Sequence, residues 1–188
     1  ASPTGPSTTS QAPLAPPASS PHTPGAVTYP PGAPVTSVFA GLAVPRAGTY
    51  AAQGEDELKG APLAIEHINA GNALIKAISP KTTKGVLGKE VKYGVADSAA
   101  KPNDAIQAQQ RFITENKAVL MTGSTSSAVA VALNKLAQRE KVLYVAGISG
   151  SNDTTGKDCV RYGFRHNFSG ETAATAIGPA PPTAAGQN

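Results

Sequence analysis

The residues with the clearest chemical potential are four hydroxyl side chains that follow a glycine, in Gly-Ser-Thr-Ser-Ser at residues 123–127. This segment lies between an apolar run and a helical pattern, so it leaves free backbone N–H groups at a helix start. Free N–H groups, hydroxyl donors and the helix dipole together favour a carboxylate or a phosphate. We therefore predict an anion-binding position at Ser126 and Ser127; the alternative is that Ser126 only caps the helix. A phosphate loop is disfavoured, because no Gly-Lys-Ser/Thr follows.

Two other loops also follow a short apolar run. They cover residues 45–54 and residues 147–156, and the second is rich in Gly, Ser, Thr and Asn. In open parallel sheets, ligands bind beyond the carboxyl ends of the strands, where the loops enter helices. The three loops are therefore the candidate binding region.

The residue types that serve enzymes and metal sites are poorly arranged for those tasks. No Gly-x-Ser-x-Gly nucleophile motif occurs, and His22, His67 and His166 lack the spacing of metal ligands. The single cysteine, Cys159, excludes an internal disulfide and a multi-cysteine metal site, and we interpret it as a buried or unreactive thiol. The sequence favours a binding protein with no catalytic residues, no metal and no cofactor.

Charge and hydropathy argue against two further classes of protein. The net charge is +4, from 16 basic and 12 acidic residues, and aromatic residues make up 5% of the chain. A nucleic-acid-binding protein usually concentrates its basic residues in one stripe with aromatic residues among them, so we expect no nucleic-acid partner. No run of about 18 apolar residues is present, so we expect no direct membrane insertion. No signal peptide is recognisable, and we assume that one has been removed.

Short apolar runs alternate with helical patterns through the middle of the chain. The predicted strands are 38–44, 86–96, 118–122 and 142–146, and the predicted helices are 54–69, 102–116 and 126–140. A hairpin turn at Gly88 and Lys89 is an open alternative within the second strand. Pro62 should bend the first helix or divide it, because proline lacks a backbone N–H. Strands that alternate with helices of about 10–15 residues indicate βαβ units, so the predicted fold is α/β, doubly wound, with a mainly parallel sheet.

Both ends of the chain differ in composition from the middle. Residues 1–36 contain ten prolines among Ser, Thr, Ala and Gly, and residues 179–188 have the same character. Such segments bury too little apolar surface to offset the entropy lost on ordering. We expect two disordered tails around one folded lobe at residues 37–178.

Several segments of the predicted lobe form an ordered series. In chain order they are residues 48–54, residues 60–71, Asp97 and Ser98 with Pro102, residues 123–127, and residues 155–159 with Tyr162, Phe164 and Arg165. This series resembles the type I periplasmic binding proteins, most of all the branched-chain amino acid and amide/urea group that serves ABC importers. The resemblance covers residues 38–178 and implies the first of two α/β lobes that close on a ligand.

The resemblance also implies ligand-binding residues at the matching positions. Ser127, with Ser126 beside it, falls where the family hydrogen-bonds the carboxylate of the ligand or an equivalent group. The other matching positions are Ile148, Ser149, Gly150 and Ser151, at the α-amino end of the ligand, and Tyr50 or Gln53, near the mouth of the cleft. These eight positions are the candidate site residues.

The function implied by the resemblance is the binding of a small polar solute, such as an amino acid, an amide or urea, in the periplasm or outside the cell. An ABC permease would be the partner. The chain changes to Pro/Ala/Gly composition after Gly178, where the family begins its second lobe, so we expect a truncated chain. The alternatives are a ligand-sensing receptor or regulator domain, a non-binding fragment with a structural role, and a nucleotide-dependent α/β enzyme. The lack of a Gly-rich phosphate loop argues against the enzyme.

Overall fold

A five-stranded parallel sheet forms the centre of the described chain. The computed structural model describes residues 36–178, so the tails predicted before and after these residues lie outside the described residues. The strands are β1 (Ser37–Val44), β2 (Glu90–Asp97), β3 (Leu120–Gly123), β4 (Leu143–Ala146) and β5 (Gly163–Arg165). Their order is β2-β1-β3-β4-β5, and each pairing is parallel. The predicted α/β fold with a doubly wound parallel sheet is confirmed.

Residues 36–178 contain five α-helices and two short 3-10 helices. The α-helices are α1 (Ala51–Ala70), α2 (Ala73–Ile78), α3 (Pro102–Asn116), α4 (Ser127–Glu140) and α5 (Gly170–Ile177), and the 3-10 helices are Gly48–Tyr50 and Asn152–Thr154. The three predicted helices correspond to α1, α3 and α4. The short helices α2 and α5 were not predicted, because two turns or fewer give little periodic signal. No helix in this part of the chain is long and apolar enough to span a bilayer.

Two local predictions have different outcomes. Pro62 lies inside α1, which continues unbroken from Ala51 to Ala70; the alternative that Pro62 divides the helix is therefore wrong, and a bend stays a prediction. The missing N–H costs one hydrogen bond, and the helix keeps its other bonds on either side. A tight turn is present close to the predicted place, with Leu87 and Gly88 at its centre, because Val86 and Lys89 exchange two backbone hydrogen bonds of 2.9 and 3.0 Å. The second strand therefore begins at Glu90 and not at Val86.

The main hydrophobic core lies on one face of the sheet. There the fully buried side chains of Met121 and Tyr144 pack with Leu133 and other apolar residues of α4. Successive side chains of a strand point to opposite faces, so the other face belongs to the alternate residues of each strand. On that face α1 lies over β1, while Leu143 and Phe164 are 47% and 50% exposed.

Two buried amide side chains fix helices to the sheet and to a loop. Gln109 of α3 donates a hydrogen bond to the Gly41 carbonyl of β1 at 3.1 Å. Asn134 of α4 donates to the carbonyl oxygens of Thr154 and Asp158 at 2.8 and 3.2 Å. Each amide satisfies carbonyl groups that would otherwise be buried without a partner, which costs about 1–3 kcal/mol per group. The loop after β4 is thereby tied to α4.

The sheet has its topological switch point between β1 and β3. The chain leaves β1 toward α1 on one face and leaves β3 toward α4 on the other face, so the two connections diverge. In doubly wound sheets this divergence opens a crevice at the carboxyl ends of the strands, where ligands bind. The fold thus places the predicted loops at residues 45–54 and 123–127 on the two sides of this crevice.

Candidate functional site

Backbone hydrogen bonds at the carboxyl edge of the sheet join the loops after β3 and β4 to each other and to the end of β1. The N–H of Ser124, after β3, donates to the carbonyl of Ala43 in β1 at 3.0 Å. The N–H groups of Gly147 and Ser149, after β4, donate to the carbonyls of Gly123 and Ser124 at 2.8 and 3.1 Å. These bonds hold the end of β1 and the segments that follow β3 and β4 in one cluster around the switch point.

The first turn of α4 has no side-chain cap. Ser126 occupies the N-cap position with extended backbone angles, but its side chain accepts no capping hydrogen bond. Ser127, the first helical residue, is exposed, and its hydroxyl accepts a hydrogen bond from the Ser149 hydroxyl at 3.2 Å. The first four N–H groups of a helix lack partners within the helix, so this turn is open to an external acceptor. The plain capping role considered for Ser126 is not the arrangement found.

Ser124 stabilises the chain that leads into the first turn of α4. It is 1% exposed, and its φ of 79° lies in the left-handed region, which costs a non-glycine residue about 1–3 kcal/mol. Its hydroxyl donates to the carbonyl of Ser126 at 2.9 Å. The strained backbone is thus held by hydrogen bonds on both sides, and it turns the chain from β3 into α4.

The loop after β4 places its four candidate residues in different settings. Ser149 is 1% exposed and lies against Ser127, whereas Ile148 is 39% exposed at the edge of the cluster. The Gly150 carbonyl accepts the backbone N–H at the start of α5 at 2.8 Å. The Ser151 hydroxyl accepts a backbone N–H of the following 3-10 helix at 3.2 Å. The Gly150 carbonyl and the Ser151 hydroxyl are therefore engaged within the protein, and Ser149 is the member of this loop that contacts the open helix start.

Tyr50 and Gln53 lie at the entry to α1. Tyr50 ends the 3-10 helix Gly48–Tyr50 and is 38% exposed, and Gln53 is exposed on the first turn of α1. In the described part of the chain neither side chain makes a hydrogen bond to the serines of the other two loops. The structure thus brings Ser127 and Ser149 into contact but does not bring Tyr50 or Gln53 to them.

A cavity of about 230 Å³ lies between α1 and the carboxyl edge of the sheet. Glu57 of α1 and His166, which follows β5, are the titratable residues of its lining, and most of the rest is apolar or small, including Leu42, Val44 and Ala61. The His166 ring is anchored by a hydrogen bond between Nδ1 and the carbonyl of Ala146, at 2.9 Å. The cavity therefore has one acidic and one imidazole group in a largely apolar wall.

Glu57 is a residue of this region that the sequence analysis missed. The Thr125 hydroxyl donates to Glu57 Oε2 at 3.5 Å, and Oε1 is buried without a partner at full hydrogen-bond geometry. Burial raises the pKa of Glu57 to about 7, against the opposing effect of the Ile148 backbone N–H and the Thr125 hydroxyl. A carboxyl group with this pKa is partly neutral at physiological pH.

Asp97 is a second acidic residue at the carboxyl edge of the sheet, and its pKa is shifted in the opposite direction to that of Glu57. Its Oδ1 accepts the backbone N–H groups of Ala99 and Arg46 at 2.7 and 3.0 Å. These hydrogen bonds, first that of Ala99 and then that of Arg46, hold the pKa of Asp97 below its usual range. The carboxylate thereby links the loop after β1 to the end of β2.

One further prediction needs correction. Cys159 is exposed, so the alternative that it is buried is wrong, while the alternative that it is an unreactive thiol stays a prediction. It lies in the irregular segment between the second 3-10 helix and β5, outside the packed core. Within residues 36–178 no three His, Cys, Asp or Glu residues are grouped so that they could hold a metal ion.

Comparisons with known proteins agree on one family. The family profile described as "Periplasmic binding protein" matches residues 37–187. An amino acid binding protein of Pseudomonas aeruginosa is 24% identical over an alignment of 135 residues, and the match covers 66% of this chain and 33% of the relative. Among solved structures, an amino acid ABC transporter substrate-binding protein from Pseudomonas fluorescens is 26% identical with a TM-score of 0.56, over 70% of this chain and 31% of that one.

A solute binding protein of an ABC transporter from Rhodopseudomonas palustris, in complex with 3,4-dihydroxybenzoic acid, is 25% identical with a TM-score of 0.54. The similarity covers 71% of this chain and 32% of that one. The chain therefore spans about a third of the length of these relatives.

Proposed function

This chain belongs to the periplasmic binding protein family, and we propose that it is the lobe of a solute-binding protein that holds the carboxylate of a small solute. Binding would use hydrogen bonds and would involve no covalent step. The observation that supports this most directly is the open first turn of α4, where Ser127 is exposed and Ser126 forms no cap. This turn lies at the switch point of the sheet, where doubly wound folds bind ligands.

The chemistry of the site suits a carboxylate. The free N–H groups and the dipole of α4 favour a negative charge, and the Ser127 hydroxyl can donate to the solute while it accepts from Ser149. Ser149 fixes the Ser127 oxygen, because its own side chain is buried and cannot move freely. Ile148 would contact the apolar part of the solute.

The relatives support the same class of solute. Two are described as binding proteins for amino acids, and the third was solved with 3,4-dihydroxybenzoic acid. All amino acids and dihydroxybenzoic acid share a carboxylate, while their other parts differ. We therefore propose that the solute carries a carboxylate group. Location outside the cytoplasm and delivery to an ABC permease are part of the proposal, since they follow from the relatives.

The affinity of this chain alone should be low. Small-molecule sites normally bury about 70–90% of the ligand, and one side of a single lobe cannot enclose a solute to that extent. A dissociation constant in the millimolar range, about −4 kcal/mol, is expected.

The test is a titration of the isotope-labelled 188-residue chain, followed by NMR. Leucine and 3,4-dihydroxybenzoate are compared with leucinamide and 3,4-dihydroxybenzamide, which lack the carboxylate. The carboxylates should shift the amide signals of Ser127, Ala128 and Ser149, whereas the amides should not. Ser127→Ala should weaken binding by about 1 kcal/mol, or roughly fivefold, because one hydrogen bond to a charged group is lost in a partly solvated site.

Ser126→Ala is the matched control, because Ser126 is the neighbouring hydroxyl and forms no capping bond. It should leave the affinity unchanged. An effect of Ser126→Ala without an effect of Ser127→Ala would shift the anchor by one residue. Signals that move equally for carboxylates and amides, or that move elsewhere in the lobe, would contradict the proposal and favour the non-binding fragment.

A further inference from the structure

We propose that Glu57 is a positioning residue of the solute site, which bridges the loops at residues 123–127 and 147–151 and couples the binding of an anionic solute to the uptake of one proton. The inference rests on the proposed function, since it concerns the same two loops. Glu57 reaches them from α1, on the face of the sheet opposite to α4.

Glu57 contacts each of the two loops. The Thr125 hydroxyl donates to Oε2 at 3.5 Å, in the loop before α4. In the loop after β4, Oε1 lies so close to Gly147 that a Cβ at this position would overlap it. The backbone N–H of Ile148, the next residue, lies close enough to lower the pKa of the carboxyl group, although Oε1 has no partner at full hydrogen-bond geometry. The carboxyl group therefore lies between a residue two positions before Ser127 and a residue directly before Ser149.

The two protonation states of Glu57 have opposite effects on an anion. The ionised carboxylate places a negative charge beside the loop that leads into α4, and like charges disfavour each other. The neutral acid removes this repulsion and gains an O–H donor. Both states are accessible near neutral pH, because burial raises the pKa of Glu57 to about 7. A bound anion raises this pKa further, so binding takes up protons between the two values.

Two other titratable groups lie near Glu57. His166 lines the same cavity and hydrogen-bonds the Ala146 carbonyl. Tyr144 of β4 stays neutral, because burial above all, and the charge of Glu57 in addition, raise its pKa over the ordinary value. An imidazole can also interact with an anion, so the test must separate the effect of His166 from that of Glu57.

The test measures the affinity of the 188-residue chain for 3,4-dihydroxybenzoate at pH 6 and pH 8 by NMR titration. The affinity should fall about three- to tenfold as the pH rises, since one coupled proton changes it by at most about tenfold per pH unit. Glu57→Gln is neutral at every pH and should bind at pH 8 as the unchanged chain binds at pH 6. His166→Gln should retain most of the pH dependence.

A second measurement needs no solute. The carboxyl carbon of Glu57 should titrate with a midpoint near 7, as expected for its raised pKa. The amide signals of Thr125 and Ile148 should move with the same midpoint, and in Glu57→Gln this shared transition should be lost. A group that only stabilises the fold would not link the two loops in this way.

Several results would overturn the inference. A Glu57 carboxyl group with an ordinary midpoint, or loop amides that ignore its titration, would refute the bridge. A pH dependence that survives Glu57→Gln and disappears in His166→Gln would assign the coupling to His166. Equal loss of affinity at both pH values in Glu57→Gln would indicate a structural role only. If no carboxylate shifts the loop signals at any pH, the proposed function fails and the coupling with it, while the solute-free titration separately decides the bridge.

Discussion

Replacing Glu57 with Gln should stabilise the folded lobe above neutral pH and change little near pH 5. The pKa of Glu57 is about 7 in the folded chain, compared with its ordinary value of 4.5. Between these two pH values the folded state keeps a proton that the unfolded state has released. The free energy of unfolding therefore falls as the pH rises from about 4.5 to 7 and is level above that. Gln avoids this loss because it does not titrate.

The size of the expected stabilisation follows from the pKa shift of Glu57. Each pKa unit corresponds to about 1.4 kcal/mol, so the whole shift sets a ceiling of roughly 3 kcal/mol. Glu57 is only partly buried, and solvent screening reduces electrostatic effects at such positions. We expect a gain of about 1–2 kcal/mol for Glu57→Gln at pH 8, or an increase in Tm of about 2–8 °C for a domain of this size.

The assay is urea unfolding followed by circular dichroism at pH 5 and pH 8. Glu55→Gln is the matched control, since Glu55 lies on the same helix two residues earlier and is exposed. It should change the unfolding free energy by less than about 0.5 kcal/mol at either pH. If Glu57→Gln had the same effect at both pH values, or destabilised the lobe more at pH 8 than at pH 5, the reasoning about the buried carboxyl group would be refuted.

The remaining predictions concern packing. Gly54→Ala should destabilise the lobe by about 1–3 kcal/mol, because a Cβ would overlap the Pro45 carbonyl, whereas Gly60→Ala in the same helix meets no neighbour and should stabilise it by about 0.5–1 kcal/mol. Thermal unfolding of the pair tests this, and equal effects would contradict it. Asn134→Ala should cost about 2–3 kcal/mol, because two loop carbonyls lose their donor; the exposed Asn116→Ala is the control, and equal urea midpoints would disprove the role of Asn134.

The regular elements were accessible from the sequence for a simple reason. β1, β3 and β4 are short apolar runs, and α3 and α4 have long apolar stripes. The expected burial and the periodicity of the apolar residues therefore predicted the same strands and helices. The short helices α2 and α5 escaped prediction because they span only six and eight residues. The exposure of Cys159 was also missed, since a single residue in an irregular segment leaves no periodic signal.

The site was predictable at the level of loops and less so at the level of side chains. Parallel strands carry their ligand loops at one edge, and this rule located the loops at residues 123–127 and 147–151. It did not predict that the Gly150 carbonyl and the Ser151 hydroxyl accept hydrogen bonds from neighbouring segments. The partner of Gly150 is distant in sequence, and the partner of Ser151 lies in a 3-10 helix. The spacing of residues in the sequence indicates neither hydrogen bond.

The role of Glu57 was not predicted from the sequence because two other acidic residues directly precede it. It belongs to the acidic run Glu55-Asp56-Glu57, and acidic residues are typical of the N-terminal part of a helix. The structure shows which side of α1 is buried: Gly54 and Ile65 are buried, and Glu57 follows Gly54 by three residues, which places it on the same side of the helix. An acidic residue on the buried side of a helix is uncommon, but the sequence alone did not identify that side.

The composition of the two site loops explains why the state of Glu57 should matter. Residues 123–127 and 147–151 contain no charged side chain, so an anion there would be held by N–H dipoles and hydroxyl groups. The N-terminus of α4 contributes roughly half a positive charge. A full negative charge on Glu57, in contact with Thr125, would oppose this attraction with nothing in either loop to offset it. Protonation of Glu57 would therefore strengthen the binding of a carboxylate by these neutral loops, and ionisation would weaken it.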